Sequence, residues 1–302
     1  MTDPSEPVRD LPDSSWPHYS LYKNVREAIA SLPVYFRTET QIAGIMATDL
    51  HTLNSVLGAT IEEQVVRTLN LIRNTWDPDE KYGLYTFVRQ PQTFPDVILR
   101  KTSSGDVLLG IELKGWYLLA KESEPSLRFR VSAAACTEQD LIVVVPWVLG
   151  SVISGSPILF APFIESAKYA AEFRNYHWQH VRRAQGDASI EIATEITPYP
   201  TKSDHILDKP KHDTGNNFGR IARTGLMDTY MQQLEEVTLC GINVVYWREF
   251  LKAFQESATE EQARGALDRL KTKIRANVQF PSSKADAALA IVAELEKLLD
   301  GS

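Results

Sequence analysis

Apolar residues recur along this chain with two different periods, and the change from one to the other predicts the order of its elements. In LYKNVREAIASL, from Leu21 to Leu32, and over a long stretch from about Thr38 to Trp76, apolar positions fall at helical spacing. Within the second stretch Ile61, Val65, Leu69 and Ile72 lie on one stripe. Beyond Leu84 the pattern changes to short apolar runs: LYTFV from Leu84, DVILR from Asp96, DVLLGIELKGW from Asp106 and DLIVVVPW from Asp140. Their near-continuous apolar character predicts strands covered on both faces, hence an α/β chain with a mixed sheet between helices. The turn-like KTSSGD, Lys101 to Asp106, makes the second and third strands antiparallel neighbours and draws Asp96 towards Glu112.

On either side of this core the pattern is looser. Pro4, Pro7, Pro12 and Pro17, with Asp and Ser between them, read as a mobile tail over residues 1–17. FIESAKYAAEFRNYHWQHVRRA, from Phe163, reads as a helix that turns basic and aromatic at its end. A stretch from about Thr197 to Thr224, holding Pro198, Pro200, Pro210 and GNNFGR, is more loop than a compact domain carries without a functional reason. LMDTYMQQLEEV then predicts a helix and GINVVYW a strand. Two amphipathic helices close the chain, one with Ala263, Leu267, Leu270 and Ile274, the other with Leu289, Val292, Leu295 and Leu299. The expected organisation is a tail (1–17), a main domain (18–255) and a C-terminal helical extension (256–302).

Composition narrows the class. A chain of 302 residues that is 43% hydrophobic and 24% charged is that of a folded globular protein. No apolar run spans a bilayer and the first residues lack the build of a signal peptide, so a cytoplasmic location is expected. Cys136 and Cys240 are too few for a disulfide scaffold or a Cys-built zinc site. The net charge of −7 argues against a nucleic-acid partner only weakly, because a binding cleft needs local positive charge while net charge sums the whole surface.

The chemistry concentrates at Pro95 and Asp96, then, after fifteen residues, Glu112, Leu113 and Lys114. Residues two apart on a strand share a face, so Glu112 and Lys114 project together while Leu113 points into the opposite layer. A carboxylate and an ammonium within VLLGIELKGWYLL are costly unless paired or used. Two carboxylates converging beside a lysine can hold a hard divalent cation, which polarises a phosphate while the lysine orients the attacking water. The bland alternative makes Glu112 and Lys114 an edge-strand ion pair and Asp96 a turn residue.

PDVILR followed by GIELKGW resembles the PD-(D/E)xK nuclease superfamily, whose best-known members are type II restriction endonucleases. The pattern is matched at Pro95, Asp96, Glu112 and Lys114, and the likeness covers roughly residues 58–147. The resemblance implies a restriction-endonuclease-like mixed sheet flanked by helices, with Asp96 and Glu112 as Mg²⁺ ligands. It further implies the Leu113 backbone carbonyl as a possible third ligand and Lys114 as the residue that positions water. The family places a glutamate on the preceding helix; LGATIEEQVVRTLNLIR offers Glu62 and Glu63. Glu63 suits a solvent-side capping box, and Glu62, beside the buried stripe, is the better candidate.

The likeness also implies sequence-specific hydrolysis of double-stranded DNA by a homodimer. The rivals are a repair or junction nuclease of the same superfamily and a non-catalytic DNA-binding protein with this fold. RNYHWQHVRR supplies Arg174, Asn175, His177, Arg182 and Arg183 as candidate DNA contacts, and the later loop supplies Lys209, Lys211, Asn216, Asn217 and Arg220. His177 and His180, at i and i+3, lack the companions of a metal site. GNNFGR lacks the GK[ST] of a phosphate loop.

Overall fold

The computed structural model describes residues 5–43, 50–90, 92–182, 186–194, 196–253 and 259–276, and from the last helix residues 285, 286, 288–290, 292, 293 and 296. Helix α1 (Tyr19–Ala30) runs into the single turn α2 (Leu32–Tyr35), and α3 (Leu50–Leu71) into the single turn α4 (Arg73–Trp76). The helical stretch expected from Thr38 therefore begins at Leu50. Residues 38–43 are not helical, with Ile42 bridged to Gly155, and 44–49 lie outside the described residues. The predicted stripe is real: Ile61, Val65 and Leu69 are buried, and Ile72 packs against the same core.

Four of the strands are those expected: β1 (Tyr85–Arg89), β2 (Val97–Lys101), β3 (Val107–Tyr117) and β4 (Leu141–Leu149). β5 (Pro157–Leu159) and β6 (Phe163–Ser166) complete a six-stranded sheet. β1, β2 and β3 are antiparallel neighbours, β3 and β4 run parallel, and β5 and β6 pair antiparallel with β4. The chain is thus mixed α/β with a mixed sheet. The β2–β3 turn closes as its composition demands: Gly105 takes φ +84°, the left-handed region open to glycine, and donates to the Lys101 carbonyl. Every residue of β4 is buried, and Ile111 and Leu113 of β3 meet Val65, Val66 and Leu69 of α3.

Three expectations change. FIES is a strand, and α5 (Ala167–Tyr176) starts only after Ser166, whose side chain accepts from the Tyr169 N–H as an N-cap; one π turn (His177–Val181) follows. The expected strand GINVVYW splits. Ile242–Asn243 (β10) pairs with Thr238–Leu239 (β9), after α6 (Asp228–Glu235), and VVYW opens α7 (Val244–Ala253). The Asn243 side chain accepts from the Val245 N–H, and Val244, Arg248 and Leu251 form the buried helical face that a short apolar run does not disclose. The described part of the expected tail is anchored, Arg9 pairing with Glu165 at 2.7 Å and Trp16 packing on the core.

The long loop is pinned as well, with β8 (Lys209–Pro210) paired to β7 (Ile190–Glu191). At the C-terminal end α8 (Glu260–Ala276) buries Leu267, Leu270 and Ile274 against Tyr246 of α7 and Val292. This second apolar cluster therefore draws on α7 as well as on the extension; Leu295 and Leu299 lie outside the described residues. Among the described residues no helix is long and apolar enough to cross a membrane.

Candidate active site

The β2–β3 register sets the geometry. Val97 lies opposite Ile111, so Asp96, one residue before β2, stands beside Glu112. Beyond that point β3 runs on without β2, and its N–H groups at 113 and 115 face the vacated edge. Carboxylates fill the positions of the missing carbonyls: Asp96 Oδ2 accepts from Leu113 N–H at 3.1 Å, and Glu62 Oε1 from Gly115 N–H at 2.9 Å. The Leu113 carbonyl points towards the same edge by strand geometry.

Helix α3 meets β3 at Gly58 and Gly115. A Cβ on Gly115 would lie 3.4 Å from the Gly58 carbonyl oxygen, so the helix backbone passes at contact distance of the strand. One turn further on, Glu62 sits 3.5 Å from Lys114 Nζ and 4.0 Å from Arg89 Nη2. Lys114 is therefore paired with Glu62, and among the described residues no ion pair joins it to Glu112. Glu63 is exposed.

Burial disfavours the charged forms of both Asp96 and Glu112, and the Asp96 charge further disfavours that of Glu112. Burial is the main cause, and it pushes the Asp96 carboxyl up to about 6, with Glu62 adding to the rise and the Leu113 N–H, Arg89 and Lys114 opposing it. Burial and then the Asp96 charge push Glu112 up to about 8. Two oxygen donors that repel each other in a partly desiccated position suit a hard divalent cation, whose charge would reverse both shifts. Among the described residues no three His, Cys, Asp or Glu side chains gather as a ready ligand set. The protein's donors would be these two carboxylates and the Leu113 carbonyl, with water completing the shell.

Asp96 and Glu112 open into a cleft of about 440 Å³, also lined by Arg128, Arg130, Lys202 and Asp204. Arg128 and Arg130 carry no motif, but a signal was present: in Leu127-Arg-Phe-Arg-Val131 apolar and basic residues alternate, and Leu127, Phe129 and Val131 are buried.

No protein-family model, curated protein or solved structure matches this chain. The site rests on its own geometry.

The segments expected to contact DNA divide sharply. Arg174 is 1% exposed, with Nη1 donating to the carbonyls of Phe129 and Val131 at 2.8 and 2.9 Å and Nη2 to Asp208 at 2.5 Å. Asn175 donates to the same Asp208 carboxylate at 2.9 Å, so neither side chain is free to meet a ligand. A long, fork-shaped cation within an amphipathic helix can bind backbone carbonyls as readily as phosphates, which is why composition misplaced it. Arg182 stacks on Trp178 and His177 is half-buried, burial lowering its pKa. Arg220 pairs with Glu124 at 3.4 Å, and Asn217, half-buried, closes a turn on Asp213. Lys209, Lys211 and Asn216 are exposed, and Arg183 lies outside the described residues.

Proposed function

We propose that this chain is a Mg²⁺-dependent endonuclease of restriction-endonuclease-like fold, of the PD-(D/E)xK type, that hydrolyses phosphodiester bonds of double-stranded DNA. One observation carries the reading: two desolvated carboxylates, Asp96 and Glu112, meet at a cleft beside the Lys114–Glu62 pair. The order of strands, three antiparallel and a fourth parallel to the third, with α3 packed beneath, supports the same fold.

Asp96 and Glu112 would hold the cation, with the Leu113 carbonyl. When bound, Mg²⁺ supplies positive charge that stabilises the phosphate as negative charge grows on it. Lys114, held by Glu62, offers an ammonium that orients a water for attack. Glu62 fixes Lys114 and the Gly115 N–H at once, so it is a positioning residue. Sequence-specific cutting of both strands would call for a homodimer.

Incubating the protein with phage DNA and Mg²⁺ should give discrete bands on a gel. Asp96→Ala and Glu112→Ala should each lower the cutting rate by roughly 10³-fold or more, as loss of a main catalytic contribution does. Cutting at the wild-type rate by either variant would remove the assignment. Parallel reactions on branched DNA and on RNA separate this reading from a junction or RNA nuclease of the same type.

A further inference from the structure

The wall of the cleft opposite the carboxylates is as constrained as the site itself. The segment Leu127–Val131 is bonded on both sides: Phe129 N–H donates to the Gly219 carbonyl at 2.8 Å, and Asp208 N–H to the Arg130 carbonyl at 2.9 Å. Ser132 N–H continues the second ladder onto Ile206 at 2.8 Å. From below, Arg174 clamps the carbonyls of Phe129 and Val131. Such an arm has little freedom, and strand alternation sends Arg128 and Arg130 to the cleft while Leu127 and Phe129 face the core.

The arginines are not spent on the fold. Arg130 forms no ion pair among the described residues, and its Nε is buried without a hydrogen-bond partner, an expensive state for a guanidinium nitrogen unless a ligand completes it. Its stem is fixed against Gly219, where a Cβ would come within 2.7 Å of Arg130 Cγ; Gly219 has φ +87°. Arg128 donates to the Asn216 carbonyl, which orients it without neutralising it. Lys202 lines the same cleft and is exposed. Asp204, the remaining acid on this wall, is engaged with Thr201 through N–H and hydroxyl at 2.6 and 3.0 Å.

We propose that Arg128, Arg130 and Lys202 form a phosphate-holding wall that seats the backbone of the strand being cut, opposite Asp96 and Glu112. The inference rests on the nuclease reading and adds to it the surface that grips the substrate. Guanidinium groups match phosphate oxygens through paired N–H donors, and a rigid arm presents them without the entropy of ordering a loop. A cleft of about 440 Å³ is of small-molecule size, so it takes one sugar-phosphate stretch and leaves the rest of a duplex at its mouth.

The test measures binding of a labelled duplex in Ca²⁺ by fluorescence anisotropy, from about 50 to about 200 mM salt, where each lost phosphate contact lowers the slope of log K against log salt by about 0.9. The double variant Arg128→Gln, Arg130→Gln should lower that slope by about two and raise Kd at least tenfold at the low-salt end. Its KM for cleavage should rise more than its kcat falls, because a ground-state grip is lost. Arg130→Lys should keep most of the slope. If the double variant loses its circular-dichroism signature, the exposed Arg128→Gln alone is read, with a slope loss of about one. Wild-type slope and Kd in a folded variant, while the wild type still cuts, overturn the phosphate wall and leave the nuclease reading standing. A wild type that neither cuts nor binds any nucleic acid removes both.

Discussion

Arg174 and Asp208 meet under the Leu127–Val131 arm as opposite charges, while Asp96 and Glu112 meet across β2 and β3 as like charges. The first pair is closed: Asp208 accepts from Arg174, from Asn175 and from the Ala193 N–H, and the guanidinium spends its remaining donors on carbonyls and Asn175. Burial lowers the Arg174 pKa only to about 10, because Asp208 holds the proton in place. The second pair is open, with both carboxyls raised and a cleft in front of them. A closed buried pair fixes a conformation; an open pair of like charges is stable only when something of opposite charge arrives or a proton stays.

The largest effect on stability should come from breaking the closed pair. Arg174→Leu leaves Asp208 buried without its cation and should cost about 3–5 kcal/mol, read as a fall in the denaturation midpoint. Pairing it with Asp208→Leu should recover much of that loss, since an apolar replacement of a whole buried pair is often tolerated. A single variant as stable as the wild type would show that the arm stands without its clamp.

A second effect, graded with pH, should come from titrating the open pair. Both carboxyls sit above their ordinary values of 3.8 and 4.5, so the folded state holds these protons more tightly than the unfolded one. Their contribution is fully present below those ordinary values and is lost as pH rises through about 6 and about 8. Metal-free melting temperature should therefore fall as pH rises from about 4 to about 8, and Glu112→Gln or added Mg²⁺ should flatten the fall. A metal-free profile as flat as that of Glu112→Gln would return the pair to ordinary carboxylates.

The smallest stability change should come from Lys114→Ala. Lys114 is about one-third exposed, and Glu62 keeps the Gly115 N–H and Arg89 without it, so the loss should stay within about 1 kcal/mol. Cleavage should nevertheless vanish while Ca²⁺-dependent DNA binding survives. A marked loss of stability with no effect on cutting would turn Lys114 into a structural counter-ion.

The four long strand runs and the α3 stripe were legible because their periods are unambiguous, and the KTSSGD turn made β2 and β3 antiparallel neighbours, but the register that sets Asp96 beside Glu112 also needs the shift between Leu99 and Arg100, which no local pattern announces. What local pattern could not supply was partnership across long separations. Nothing near Lys114 in the chain says that its partner is Glu62 rather than Glu112, and nothing near Arg174 points to Asp208. GINVVYW failed for a different reason: seven residues with one polar break fit both a strand and the first turns of a capped helix, and the Asn243 cap with the packing of Val244 and Leu251 decides for the helix. Arg128 and Arg130 were readable as alternation, yet five residues do not announce a strand-like arm whose backbone partners, Ile206, Asp208 and Gly219, stand far along the chain.

The two carboxylates that cover the N–H groups of Leu113 and Gly115 also guard the sheet against itself. Where β2 ends, β3 continues as an unpaired rim, and an open rim is a template on which a foreign strand can dock and begin to aggregate. Asp96 and Glu62 occupy that rim with side chains that accept the hydrogen bonds but cannot pass the ladder on to another chain. Charge at this edge thus limits the sheet to its own strands, a solubility role independent of what the cleft binds.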